Sequence, residues 1–341
     1  MTRKHLGRQS VRFDFPPSIL SYASVVGKKE GEGPLAAYFD TISSDTKFGQ
    51  QTWEKAESQM QTLALQGALR KASLSPSNVH MLFAGDLLNQ CIGTSFAARG
   101  TDIPFYGLYG ACSTMAESLS LAAMAVEGGY AEIAAAVTSS HFASAERQYR
   151  LPLEYGGQRT PTAQWTVTGS GAILVGSNQA PPYVRGVTTG KIVDLQITDA
   201  NNMGAAMAPA FVDTVMAHFA DTGLTPSDYD LIISGDLGQV GKELAGDLFR
   251  REGLNLGDKL EDCGTLIFDP VQQDVHAGGS GCGCSAVVLC GYLMEKLKTR
   301  KYRNILFCGT GALLSPVSTQ QGESIPSVCH AVAISSESGC I

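Results

Sequence analysis

An α/β fold of five layers, assembled from two related halves around a buried pair of helices, is what this sequence predicts. Three observations lead there. The chain has 341 residues, of which 44% are hydrophobic and 17% charged, enough apolar material for a large core. A segment of the first half recurs in the second. Each copy also contains a helix with almost no polar face, which needs protein on every side.

The duplication is read directly from residues. Ser75-Pro76-Ser77 leads through the apolar run ending at Ala84 to Gly85-Asp86-Leu87. With an offset of 150, Thr225-Pro226-Ser227 leads through Leu231-Ile232-Ile233-Ser234 to Gly235-Asp236-Leu237. Each copy reads as a turn, a short buried strand and a Gly-Asp turn. Further on the offset becomes 172: Cys112-Ser113 matches Cys284-Ser285, Ile133 matches Ile305, and Thr138 matches Thr310. The extra 22 residues fall between the Gly-Asp turn and the Cys-Ser turn of the second copy.

The remaining elements follow the same plan. Residues 54–71 place Ala56, Met60, Leu63, Ala64, Gly67 and Ala68 at helical spacing, and 205–220 repeat this with Ala206, Ala210, Met216 and Phe219. Helices at 114–127 and 286–298 are rich in small residues, with almost no polar face in the first and over 286–294 of the second, and buried strands follow at 132–138 and 304–309. Two pseudo-twofold-related β-α-β-α-β halves with the apolar helices at the centre make an αβαβα sandwich. The expected organisation is an extension over 1–50 packing on the core, a first half over 51–200 and a second half over 201–341.

Charge and composition exclude several functions. The formal net charge is −7 and no run of Lys/Arg exceeds three residues, which argues against a nucleic-acid groove. No stretch of about 18 apolar residues is present, so no span is expected. The basic start at Arg3-Lys4-His5 lacks an apolar segment behind it and does not read as a secretory signal. Lys28 and Lys29 are too few for an electrostatic anchor, so association with a membrane would be peripheral, through protein partners. Nine cysteines scattered through apolar segments suit reduced thiols. Cys282 and Cys284 follow His276, but no second Cys/His pair sits at zinc spacing, and no intrinsic metal or cofactor is expected.

Cys112, within Tyr109-Gly110-Ala111-Cys112-Ser113-Thr114, opens the first apolar helix. A helix N-terminus offers free N–H groups and a positive dipole end that favour a thiolate, as a nucleophile requires. A small thiol that merely fits the turn is the other reading, and position alone leaves both open.

A duplicated fold with Gly-Ala-Cys-Ser-Thr before a buried helix resembles the thiolase-like superfamily, and more closely its ketoacyl synthase III branch, over roughly 50–315. The resemblance implies the five-layer sandwich, with Cys112 at the position of the acyl-accepting cysteine. That family's first partner, the His of a His-Gln-Ala-Asn motif, is missing after the strand at 230–234, where Ser234-Gly235-Asp236 stands. The second falls in the Gly-rich loop His276-Ala277-Gly278-Gly279-Ser280-Gly281. An aspartate near the first position would repel the negative charge that condensation develops. The pocket is therefore expected to survive without the chemistry. The alternative is an active acyltransferase with Cys112 as nucleophile and His276 as base.

Gly7-Arg8-Gln9-Ser10, Pro16-Pro17, the run from Gly27 to Leu35, Ala84 to Gln90 and Val137 to Phe142 resemble the stage V sporulation protein AD family along the whole chain. This resemblance implies non-catalytic binding of dipicolinic acid (pyridine-2,6-dicarboxylate), free or as its calcium chelate, for uptake into the developing spore. It also implies a place at the spore inner membrane beside membrane proteins of the same operon, and a homodimer. The residues tolerate such a ligand. The turn at Cys112 and Ser113 offers N–H donors to one carboxylate, and Thr138, Ser139 and Ser140 offer hydroxyls. His141 follows a buried strand end. Asp86 and Asn89 come from the loop of the same half. Asp86 reads either as a contact to chelated calcium or as a turn cap, and His141 either as a ligand contact or as a surface histidine. Arg147, Arg150 and Arg159 read as a carboxylate clamp or as a solvated loop. His276 completes the candidate set.

Overall fold

The computed structural model describes residues 4–149, 159–177 and 180–337. Its strands are β1 (Ser18–Val26), β2 (Met81–Gly85), β3 (Phe105–Leu108), β4 (Ile133–Ser140), β5 (Gly169–Gly176), β6 (Tyr183–Thr188), β7 (Leu231–Ser234), β8 (Leu260–Asp262), β9 (Asn304–Ala312) and β10 (Ser327–Ser335). The helices that carry the argument are α1 (Trp53–Ala72), α2 (Ile92–Ala98), α3 (Thr114–Glu127), α4 (Phe142–Tyr149), α5 (Met203–Thr222), α6 (Gly238–Arg251) and α7 (Cys282–Val288). The last continues through a π turn, Leu289–Leu293, into Met294–Lys298.

The pseudo-twofold is exact in topology. The first half orders its strands β3-β2-β4-β5-β1 and the second β8-β7-β9-β10-β6, so the same order recurs. In each, the first three strands are parallel and the next two antiparallel to their neighbours. The two sheets meet where β6 touches β1 at Tyr183 and Ser18. The sheets thus begin earlier than residues 51 and 201: β1 is an integral strand of the first sheet and β6 of the second. The duplication is legible only from the Gly-Asp strands onward, because β1 and β6 share no side-chain pattern.

Layering follows from which faces are apolar. α1 starts at Thr52, whose hydroxyl accepts the Lys55 N–H, and lays Met60, Ala64 and Ala68 on one face of the first sheet. α5 starts at Asn202, ends at Gly223 in the left-handed region, and packs with α6 on the outer face of the second sheet. α3 and α7 lie between the sheets, where Met115, Leu119, Val287 and Leu293 are fully buried with Ile173 and Phe307. Each such side chain contributes about 1.5–3 kcal/mol by leaving water. The layers are therefore helix, sheet, helix pair, sheet, helix, as the all-round apolar helices require.

The extra 22 residues of the second copy form a short helix, Cys263–Ile267, a loop, and the strand Gly279–Ser280. That strand pairs in parallel with Trp165–Thr166 and carries the Gly-rich loop across to the start of α3. Among the described residues no helix is long and apolar enough to cross a membrane.

Candidate functional site

Ala111–Ser113 form a single 3-10 turn that runs into α3, with the Ser113 hydroxyl donating to Gly110 O (2.7 Å) to close it. The Cys112 thiol is buried there, and the carboxylate of Asp236, which follows β7, lies close enough to act on it electrostatically. Asp236 is itself saturated. It accepts the Gly281 N–H (2.8 Å), the Thr310 hydroxyl (2.9 Å) and, more weakly, the Ser280 hydroxyl (3.4 Å). A second buried acid, Asp262, accepts from the N–H groups of Leu237, Gly238 and Thr265 and from the Ser234 hydroxyl, fixing the turn that presents Asp236. One carboxylate thus ties β9 to the Gly-rich loop beside the Cys112 turn.

The electrostatics oppose a nucleophile. Burial, and then the negative charge of Asp236, push the Cys112 thiol well above its ordinary value. The helix-terminus argument for a thiolate is outweighed by burial of the sulfur and by the carboxylate beside it. Burial also raises Asp236, against the pull of its donors, and raises Asp262 to about 6.

A recess with room for only about 50 Å³ lies in front of Cys112. Its walls are apolar on most sides, from Leu87, Ala111, Ala145, Met203, Ala312 and Leu314, with Ser280, Thr166, Glu146 and Tyr149 as the polar members. That is well below the volume of a ligand site, so a ligand would enter only as the wall side chains move aside. Glu146 accepts from Thr166 (2.9 Å), and the Tyr149 hydroxyl donates to Leu87 O (2.6 Å). Tyr109 bonds both Tyr149 (3.2 Å) and the Asn89 side chain (3.1 Å), so Asn89 sits next to the cavity wall.

The other sequence candidates are dispersed. Asp86 accepts from Leu88 N–H (2.7 Å) and from the Thr94 N–H and hydroxyl (2.6 Å each): it caps its own loop, fully buried, and does not line the cavity. Its twin Asp236 instead accepts from Gly281 and Thr310, outside its own turn, and is the one that lies beside the cysteine. Thr138 faces Ser118 (3.5 Å), Ser139 donates to the buried Glu57 (3.0 Å), and Ser140 donates to Val167 O (2.7 Å). His141 belongs to a different cleft: Nε2 donates to Thr46 O (2.8 Å), Nδ1 accepts from Ala143 N–H, and the ring lies near Trp53. Burial lowers its pKa. His276 does not meet Cys112. Its Nδ1 donates to Thr160 O (2.8 Å) and Nε2 pairs with Asp274 (3.1 Å), so it cannot serve as the thiol's base from there. The cause is the left-handed backbone at His276 (φ 52°), which turns the ring away from the Gly-rich loop that follows.

Arg147 pairs with Glu54 and Arg159 with Asp274 (3.1 Å), so neither forms a clamp at Cys112, and Arg150 lies outside the described residues. Cys282 and Cys284 are buried, and among the described residues no three His, Cys, Asp or Glu side chains are placed to share a metal ion. The residues that sequence reading missed are Glu146, Tyr149, Met203, Ala312 and Leu314. They come from separate elements and carry no local motif. Asp236 and Ser280 were flagged only as neighbours of absent catalytic groups.

A duplicated five-layer sandwich with a cysteine at the start of a central helix defines a thiolase-like protein. Solved structures agree in fold: cerulenin-bound OleA of Xanthomonas campestris (TM-score 0.60, 16% identity, 95% of this chain and 97% of that one). 3-Oxoacyl-[acyl-carrier-protein] synthase III of Aquifex aeolicus VF5 is similar as well (TM-score 0.57, 14% identity, 94% and 99%). Within that class the chain belongs to the stage V sporulation protein AD family, whose sequence profile matches residues 7–335. It is 44% identical to stage V sporulation protein AD of Bacillus subtilis (strain 168) over 336 residues, 98% of this chain and 99% of that one.

Proposed function

We propose that this sporulation protein is a non-catalytic binder of dipicolinic acid, free or as the calcium chelate, that serves its uptake into the developing spore. The observation that carries the reading is the buried Asp236 carboxylate, held beside Cys112 by the Gly281 N–H and the Thr310 and Ser280 hydroxyls. Where a condensing enzyme needs a donor to an oxyanion, this chain puts an acceptor, and losing one such donor typically costs about 10²–10³ in rate. What remains is a small recess with flat apolar walls.

A planar aromatic diacid needs this recess to widen by movement of its wall side chains. The ring would then pack against Met203 and Leu314, with one carboxylate toward the N–H groups opening α3. Asp236 and Glu146 would repel a bare dianion, whereas calcium, which prefers several oxygen ligands, offsets them. The chelate is therefore the preferred form of the ligand, and no resident cofactor or metal is invoked. Partners on this reading are the membrane proteins of the same operon, with the protein peripheral at the spore inner membrane. A homodimer would form through the open edge of β3, where Tyr106 is 58% exposed.

Calorimetric titration with dipicolinate, with and without calcium, tests the proposal. Binding that calcium strengthens and that Met203→Asp or Glu146→Gln alters, while His276→Ala leaves it unchanged, is the expected result. No binding in any form, together with acylation of Cys112 by acyl-CoA, would return the enzyme reading.

A further inference from the structure

The chain is acidic overall, yet five of its 25 Lys and Arg residues lie within 296–303, at the end of the α7 continuation and the turn into β9. Folding sets this turn beside the C-terminal end of α1. Between them opens a cleft of about 450 Å³, lined by Lys71, Lys298 and Arg300 together with Tyr22. Its remaining walls include Leu20, Pro181 and Leu297.

Every charged group lining this cleft is a cation. Among the described residues no Asp or Glu lines it, whereas the clefts at Cys112, beside Asp14 and over Glu30 each contain a carboxylate. Lys71 is held in place: its ammonium donates to Tyr22 O (2.8 Å), pairs with Asp40 (2.7 Å) and lies over the Tyr22 ring (5.0 Å). An ammonium has three donors, so one is left. Lys298 has only a long contact to Glu295 (3.9 Å) and is largely exposed. The Tyr22 phenol is pushed up to about 12 by burial and by the charges of Glu295 and Asp40, which keeps its proton available for donation. Lysine and arginine converging on one open cleft, with a phenol and apolar walls, match the several acceptor oxygens and the negative charge of a phosphate group.

We infer that the cleft between α1 and the 296–303 turn is a binding site for a phosphate group, carried by a soluble phosphate compound or by a lipid headgroup. It is separate from the Cys112 cavity and does not depend on what that cavity holds.

The test uses the whole chain with two probes. Inorganic phosphate is titrated by calorimetry, and vesicles of phosphatidylglycerol are compared with vesicles of phosphatidylcholine by co-sedimentation. The double variant Lys298→Glu/Arg300→Glu, and the milder Lys298→Gln/Arg300→Gln, are run alongside. Each lost charge-assisted contact should weaken binding about tenfold or more. Phosphate binding that both variants weaken assigns a soluble ligand. Binding only to the anionic vesicles, weakened in the same order, assigns a lipid headgroup. Both changes are on exposed side chains, and unchanged circular dichroism with unchanged thermal melting verifies folding. Absence of both kinds of binding in the natural sequence, or binding that the charge reversal leaves intact, overturns the inference.

Discussion

Replacing Asp236 is the most informative perturbation, because a single carboxylate joins three parts of the site. Asp236→Ala leaves the Gly281 N–H and the Thr310 and Ser280 hydroxyls without their acceptor in a fully buried place. Unsatisfied buried donors cost about 1–3 kcal/mol each. Water entering from the adjacent cavity offsets part of this, so a loss of about 3–5 kcal/mol is expected in urea unfolding. Asp236→Asn separates charge from packing. Burial raises the carboxyl in the folded state, so the native protein binds more protons than the unfolded chain across the window above the ordinary carboxylate value. The natural sequence therefore loses stability as pH rises through that window, and the asparagine variant should not. Its penalty should shrink between pH 5 and pH 8. The same variant removes the charge that holds the Cys112 thiol up, though burial, the larger cause, stays. Alkylation of Cys112, followed by mass spectrometry, should speed up while remaining slower than for a free thiol. An alanine variant as stable as the natural sequence, with Cys112 alkylation unchanged in the asparagine variant, would refute the assignment of Asp236 as the organising acceptor.

Two further outcomes follow from other residues. Glu30 is fully buried, with Oε1 accepting from Thr168 N–H (2.9 Å), and burial raises it from 4.5 to about 7. Its folded value lies above the unfolded one, so stability is lost as pH rises, by about 2.5 kcal/mol between pH 5 and pH 8. Glu30→Gln should remove that share of the pH slope in denaturant titrations at the two pH values, and an identical slope would count against it. Gly311 in β9 has no room for a side chain: a Cβ would stand 2.6 Å from Gly110 O and 3.1 Å from Ser113 N. Gly311→Ala must push the strand off the Cys112 turn, at a cost of about 1–3 kcal/mol, and should weaken ligand binding in calorimetry. Unaltered melting and binding would show that the turn yields.

The architecture was legible because it rests on periodicity. Met115, Leu119 and Ala122 on one helix, and Val287, Val288 and Leu293 on the other, leave no polar face, and only a position between two sheets buries them all round. The repeated Pro-Ser turn, apolar strand and Gly-Asp step marked the halves. The strands β1 and β6, which start the two sheets, have no matching residues and were not assigned to them. The site was harder to read. Asp86 and Asp236 occupy equivalent turns in the sequence, yet one caps its own loop through Thr94 while the other accepts from Gly281 and Thr310 beside Cys112. Nothing within either turn distinguishes them. The difference is made by the inserted strand Gly279–Ser280, which brings Gly281 N–H to Asp236.

From the sequence alone came the five-layer α/β fold, the duplication and the cysteine at the head of a central helix. These depend on spacing along the chain, which local sterics and burial translate directly into structure. Only the tertiary structure decided that Asp236 holds the thiol neutral, that His276 turns away to Asp274, and that Lys71 meets Lys298 and Arg300 at one cleft. Those facts depend on which loops cross between the halves. Such crossings are set by the packing of the sheets on α3 and α7, over distances that no local pattern records.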